Sequence, residues 1–223
     1  MIYDKDIREP LFDYLERCFG KTRVLEEKTI GKSRADVFLV LPDCICGLEI
    51  KSDADSYTRL ATQVKDYDRF FDENIVVVGT SHAIHVKEHV PDYWGIITVE
   101  DTENGLDFYM LRKPERRTGA KWARKLALLW RPELAALLET FSMPKYAYLS
   151  KADVVKKLVA AIGGKILEEQ LFLEYSRLLF ERDYNKIAEI IQEYKAKKGY
   201  DKKTVEPRTR AYRKVAKRRK RKL

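Results

Sequence analysis

Residues 34–51, RADVFLVLPDCICGLEIK, decide the fold. Two strand-like apolar runs, 34–41 and 44–51, flank Pro42-Asp43, a dipeptide suited to a hairpin turn. A hairpin centred between Pro42 and Asp43 sets Asp36 opposite Glu49, because residues equidistant from the centre of an antiparallel pair face each other. Directly opposed residues have Cβ atoms about 4.5–5.5 Å apart and project to one face. Two carboxylates placed there repel unless a cation lies between them. Lys51, two residues after Glu49, points to the same side. The stretch therefore predicts two carboxylates and an ammonium on one face of a sheet built otherwise from Val, Leu and Ile. Such a pair suits a hard divalent ion that keeps some of its waters, Mg²⁺ above all.

Working outward, residues 4–19 space Ile7, Leu11, Tyr14, Leu15 and Cys18 as an amphipathic helix does, with Gly20 as a stop. A strand is expected over 23–30, turned by Gly31-Lys32-Ser33 into the next. After the hairpin, Tyr57, Leu60, Ala61, Val64, Tyr67 and Phe71 recur at helical spacing, with Asp55 as the expected N-cap. Strands follow at 75–79, 95–99 and 106–112, with a short helical segment near 86–90. The order α-β-β-β-α-β-α-β is that of an α/β fold with a mixed central sheet ending near Lys113.

The pattern Asp36-x12-Glu49-Ile50-Lys51, on the second and third strands of an α-β-β-β-α-β core, resembles the PD-(D/E)XK nuclease superfamily, the restriction-endonuclease-like fold. Gln63-Val64-Lys65-Asp66-Tyr67 is similar to the Q-x-x-x-Y helix motif of its RecB-type branch, and the wider string is similar to small bacterial and phage members. The resemblance covers roughly residues 4–112 and implies a Mg²⁺-dependent nuclease, with Mn²⁺ able to substitute. Asp36 and Glu49 would bind the metal, Ile50 would add its main-chain carbonyl, and Lys51 would serve the attacking water. Gln63 and Tyr67 would contact the DNA backbone or support Lys51. Ala35 stands where the family has its eponymous Pro, which is not a ligand. Chemically, a bound metal lowers the pKa of water and neutralises charge on a phosphate. Lys51 can orient or deprotonate that water, or stabilise the pentavalent phosphorus.

Other residues compete. Asp43 follows Pro42 but is read as turn chemistry. Glu9, Glu26 and Glu27 are candidates for an extra carboxylate, Glu27 foremost, each against the reading of a solvated charge. His82, His85 and His89 lack the further ligands a zinc site needs and are read as surface histidines. Cys44 and Cys46 are read as core.

From Thr118 the pattern turns wholly helical, over 119–130, 132–142, 151–162, 165–182 and 184–197. The expected division is a nuclease-like domain over 1–113, a helical domain or packed extension over 118–198, and a basic tail over 199–223. The pair of helices within 132–162 loosely resembles a SAP-type DNA-binding motif, with Lys151, Lys156 and Lys157 facing phosphates, although plain helix packing is the stronger reading. Arg34, and Arg218, Arg219, Lys220 and Arg221 in the tail, are further candidates for nucleic-acid contact.

The net charge of the 223 residues is +9, unevenly spread. Residues 195–223 hold 15 Lys and Arg against two acids (+13), and the preceding 194 hold 29 against 33 (−4). An acidic body with a basic tether points to a polyanion, DNA, as partner. No apolar run exceeds five residues, so no membrane span is expected. The early acids of MIYDKDIREP argue against a signal peptide, and three cysteines favour a reducing, cytoplasmic setting. A homodimer, and a DNA-binding protein that keeps the fold without cleaving, remain open alternatives.

Overall fold

The computed structural model describes residues 2–117 and 121–183, together with 189 and 193. Helix α1 (Asp4–Phe19) leads into strands β1 (Arg23–Ile30), β2 (Ser33–Val40) and β3 (Ile45–Lys51). Helix α2 (Leu60–Phe70) follows, then β4 (Glu73–Gly79), β5 (Gly95–Thr102) and β6 (Gly105–Arg112). Four helices complete the described chain: α3 (Trp122–Ala127), α4 (Arg131–Thr140), α5 (Lys151–Ala161) and α6 (Glu168–Phe180).

The six strands form one mixed sheet in sequence order, antiparallel except where β4 lies parallel to β3 and β5. The parallel steps follow from the connections, since only the helical crossover through α2 and the segment 80–94 return the chain in the same direction. β3, between β2 and β4, is buried along its whole length. Its alternation divides the core: Cys46, Leu48 and Ile50 pack with Ile7, Leu11 and Leu15 of α1, while Ile45 packs on the other face with Tyr67, Phe70 and Phe71. Gly47 is required there, because a Cβ would drive into the rings of Phe71 and Tyr67. The fold is thus the expected α/β arrangement with helices on both faces.

Helices α3 to α6 share one apolar core with α2 and the adjoining sheet face, and the chain from Met1 to Arg182 forms one compact unit. Two buried ion pairs fasten them: Lys125 Nζ to Asp72 Oδ1 at 2.5 Å, and Arg182 Nε to Glu133 Oε1 at 2.6 Å. Ser150 caps α5 as its spacing to Asp153 suggests, its hydroxyl accepting the Asp153 N–H at 3.2 Å.

Some local expectations change. The segment near 86–90 is a single 3₁₀ turn, Val86–Glu88. Asp55 does not cap α2; a 3₁₀ turn at Tyr57–Arg59 intervenes, and the Asp55 carboxylate instead accepts from the Ser52 N–H and hydroxyl. Helices α3 and α6 are shorter than the runs 119–130 and 165–182. Most of the expected helix 184–197 and all of the tail lie outside the described residues. Cys18, Cys44 and Cys46 are free thiols. Among the described residues no helix is long and apolar enough to cross a membrane.

Candidate active site

The hairpin closes through a bond from the Leu41 N–H to the Cys44 carbonyl, which centres it between Pro42 and Asp43. The pairing of Val40 with Ile45 through Val37 with Leu48 keeps that centre, and the ladder ends there, one step short of Asp36 and Glu49. Asp36 is tied there: the Ile50 N–H donates to its Oδ2 at 2.9 Å. Asp43 lies in the turn, exposed and paired with Arg116, so it is turn chemistry as expected.

Glu49 and Lys51 point away from α1, toward α2, and are only 1% and 4% exposed. Lys51 Nζ donates to Glu49 Oε1 at 2.6 Å. From α2, Gln63 Nε2 also donates to Oε1, and the Tyr67 hydroxyl lies 2.8 Å from Oε2. Gln63 and Tyr67 are one helical turn apart and share the buried face of α2 with Asp66 and Phe70. They therefore hold Glu49, the carboxylate to which Lys51 Nζ also donates, and Gln63 lines the cleft as well.

The Tyr67 hydroxyl also faces the Leu48 carbonyl at 2.9 Å and accepts the Asp36 N–H at 3.3 Å. Its single proton is shared between Leu48 O and Glu49 Oε2. One phenol thus ties together both carboxylate-bearing strands. Burial, then the Glu49 carboxylate, pushes the Asp36 carboxyl up to about 7, against the opposing effects of the Ile50 N–H and Lys51. Burial and the same carboxylates hold the Tyr67 phenol well above its usual range, which keeps it a donor.

These groups floor a cleft of about 690 Å³ whose rim carries Arg8, Lys32, Arg34 and Arg59. Among the described residues the side chains of Lys32 and Arg59 form no ion pair. Asp66 fixes the β1–β2 turn that carries Lys32, accepting from the Lys32 N–H at 3.0 Å and the Ser33 hydroxyl at 2.8 Å.

Glu27 lines the same cleft but has both carboxylate oxygens engaged, Oε1 by Arg8 at 2.8 Å and Oε2 by Arg34 at 2.6 Å. Its φ of 54° is left-handed backbone, uncommon for a residue inside a strand. Glu26 binds Arg8 as well, and Glu9 is exposed on α1. The carboxylate that α1 brings to the cleft is Asp4, whose Oδ1 is buried without a partner while Oδ2 holds Arg8. Asp4 and Arg8 carry no motif; only the packing of Ile7, Leu11 and Leu15 on the sheet turns them toward Asp36.

The donor set suits Mg²⁺. Among the described residues no three His, Cys, Asp or Glu side chains are grouped to hold a metal, so a closed zinc-type site is not built. Mg²⁺ binds through one or two carboxylates and retains waters. Gln63 Oε1, buried in the cleft beside Glu49 without a partner, is an acceptor placed for such a water.

The remaining candidates lie elsewhere. Lys151 donates to the Ala127 carbonyl, Lys156 pairs with Asp153, and neither these nor Lys157 line the cleft. Arg218, Arg219, Lys220 and Arg221 fall outside the described residues. Tyr57 packs between His82 and His89, and His85 pairs with Glu88.

A family model described as "Bacteriophage P4 protein cII" matches residues 2–207. No curated protein matches the chain. Among solved structures it is similar to "The structure of Pyrococcus Furiosus SfsA in complex with Ca2+", with 13% identity and a TM-score of 0.30. That match covers 47% of this chain and 59% of the other, so the chain spans less than two thirds of the SfsA structure.

Proposed function

We propose that this chain, which belongs to the bacteriophage P4 protein cII family, is a PD-(D/E)XK-type, Mg²⁺-dependent nuclease that hydrolyses DNA phosphodiester bonds. The observation that carries the reading is the Glu49 carboxylate. It is buried, held by Lys51, Gln63 and Tyr67, and lines with Asp36 a cleft that also carries Arg8, Lys32, Arg34 and Arg59. A fold that needed only stability has no use for opposed carboxylates there.

Asp36, Glu49 and the Ile50 carbonyl would hold the metal. When bound, Mg²⁺ supplies a water of lowered pKa and a counter-charge for the phosphoryl oxygens. The chain does the rest. Gln63 and Tyr67 fix the Glu49 carboxylate, and the Ile50 N–H fixes that of Asp36. Lys51 Nζ gives one N–H to Glu49, leaving two for the attacking water or a phosphoryl oxygen. Lys32, Arg34 and Arg59 present cations to the phosphates on either side of the scissile bond. Water adds to phosphorus, the ester P–O bond breaks, and the products are a phosphate monoester and a hydroxyl end.

The test is a pair of melting curves with and without Mg²⁺. The Asp36 carboxyl is raised from about 3.8 to about 7 in the metal-free fold. The folded state therefore binds its proton more tightly than the unfolded chain does. That contribution is full below pH 4 and is lost as pH rises through 7. Mg²⁺ competes with the same proton, so its stabilising shift should be small at pH 6 and larger at pH 8. Asp36→Asn should abolish both the shift and its pH dependence. An equal Mg²⁺ shift in wild type and Asp36→Asn contradicts the assignment.

A further inference from the structure

The buried face of α2 carries a third polar side chain, between Gln63 and Tyr67 in the chain. Asp66 is only 4% exposed, and its bonds run to the β1–β2 turn. Its Oδ2 accepts the Lys32 N–H at 3.0 Å and the Ser33 hydroxyl at 2.8 Å, while Oδ1 lies 3.6 Å from Arg69 Nη1. Ile30 pairs with Ser33, so Gly31 and Lys32 are the two central residues of a tight hairpin. Gly31 has a φ of 61°, in the left-handed region that favours glycine. A Cβ there would stand 2.5 Å from Asp66 Oδ1, so turn and carboxylate fit only while residue 31 has no side chain. The second central N–H of such a turn has no partner in the ladder and would ordinarily go to water. Here it goes to a carboxylate whose burial is costly unless donors reach it. The contact fixes the backbone on which the Lys32 side chain is mounted.

Three successive residues of this turn and strand, Lys32, Ser33 and Arg34, line the cleft with Glu49 and Lys51. Arg34 is engaged by Glu27 at 2.6 Å. Among the described residues the exposed Lys32 side chain forms no ion pair, so it is the turn's available cation. One helix face therefore holds two things. Gln63 and Tyr67 hold the Glu49 carboxylate, and Asp66 holds the turn that carries Lys32. These three residues lie within about one helical turn, a stiff span of about 5.4 Å, so α2 sets the spacing between Glu49 and the Lys32 backbone.

We infer that Asp66 is a positioning residue for the substrate: it holds Lys32 where that ammonium meets a backbone phosphate of the nucleic acid whose scissile bond lies at Glu49. The inference rests on the nucleic-acid substrate proposed above and adds what sets the register of the bound strand.

The test uses the full chain in EDTA, so that binding is read whether or not DNA is cut. Affinity for a labelled DNA duplex is measured across a salt series. The chains compared are wild type, Lys32→Gln, Asp66→Ala, Asp66→Asn, Gly31→Ala, and Lys32→Gln combined with Asp66→Ala. Lys32→Gln should weaken binding and reduce the salt slope by about 0.9, the loss of one phosphate contact. Asp66→Ala should weaken binding several-fold in the wild-type background and hardly at all beside Lys32→Gln, because it acts through that side chain. Asp66→Asn, whose amide oxygen still accepts both bonds, should keep most of the affinity. Gly31→Ala reaches the same contact from the turn and should repeat the Asp66→Ala pattern, which keeps the test decisive if Asp66→Ala folds poorly. Melting with and without Mg²⁺ should show the same metal shift in Asp66→Ala as in wild type, since Gln63 and Tyr67 still hold Glu49. Equal losses from Asp66→Ala in both backgrounds, or no loss in either, would overturn the inference, as would Asp66→Asn binding as weakly as Asp66→Ala. A lost Mg²⁺ shift in Asp66→Ala would overturn it too, because the change would then have reached Glu49. Coupling between Asp66 and Lys32 in a chain that cuts nothing would end the nuclease reading and leave the role of Asp66 standing.

Discussion

Lys51→Ala is expected to lower Mg²⁺-dependent DNA cleavage by about 10³-fold, the effect of deleting a preorganised charge aimed at the reacting phosphate. Lys51 is 4% exposed and held at 2.6 Å from Glu49, so its ammonium needs little reorganisation to act. Metal binding should survive the change, because the oxygens of Asp36, Glu49 and the Ile50 carbonyl remain. Glu49→Gln should lose cleavage as completely and lose the Mg²⁺-induced stabilisation too, since the amide carries no charge. The two variants therefore separate holding the metal from serving the water. Rates on a labelled duplex, with melting curves as the fold control, read both. Cleavage by Lys51→Ala at the wild-type rate would remove it from the mechanism.

The largest effect on stability is expected at Glu133, far from the chemistry. Arg182 is buried, and Glu133 receives two of its nitrogens as well as the Trp130 N–H that opens α4. Glu133→Ala leaves a guanidinium buried without that carboxylate, a change that costs about 3–5 kcal/mol when a buried pair loses one member. Glu133→Gln keeps the acceptor for the Trp130 N–H and should lose less. Urea midpoints of the two variants measure the difference. Midpoints within error of wild type would show that this pair does not secure the helices to the sheet.

Much of this was legible in the chain, for identifiable reasons. Pro42-Asp43 marks a hairpin whose centre can be counted, and the observed register keeps that centre as far as Val37 and Leu48, where the ladder ends. Gln63 and Tyr67 were legible as one face of a helix, but what that face touches depends on α2 lying over β3, which spacing does not encode. Asp55 looked like a helix cap because it precedes the apolar run; the chain instead turns back on Ser52 first. Asp4 and Arg8 could not be found from sequence, because their place beside the cleft is set by the angle at which α1 crosses the sheet. The split of charge was plain, but the mixing of cations with carboxylates around the cleft depends on the folded chain.

The most direct measurement is cleavage by the purified full chain. Linear, circular, single-stranded and branched DNA are incubated with Mg²⁺, with Mn²⁺ and with EDTA, beside Glu49→Gln, and the ends produced are mapped. Metal-dependent cleavage leaving phosphate monoester and hydroxyl ends, absent in EDTA and in Glu49→Gln, is the expected result. DNA binding without cleavage of any substrate under any of these conditions, or cleavage that Glu49→Gln retains, would contradict it.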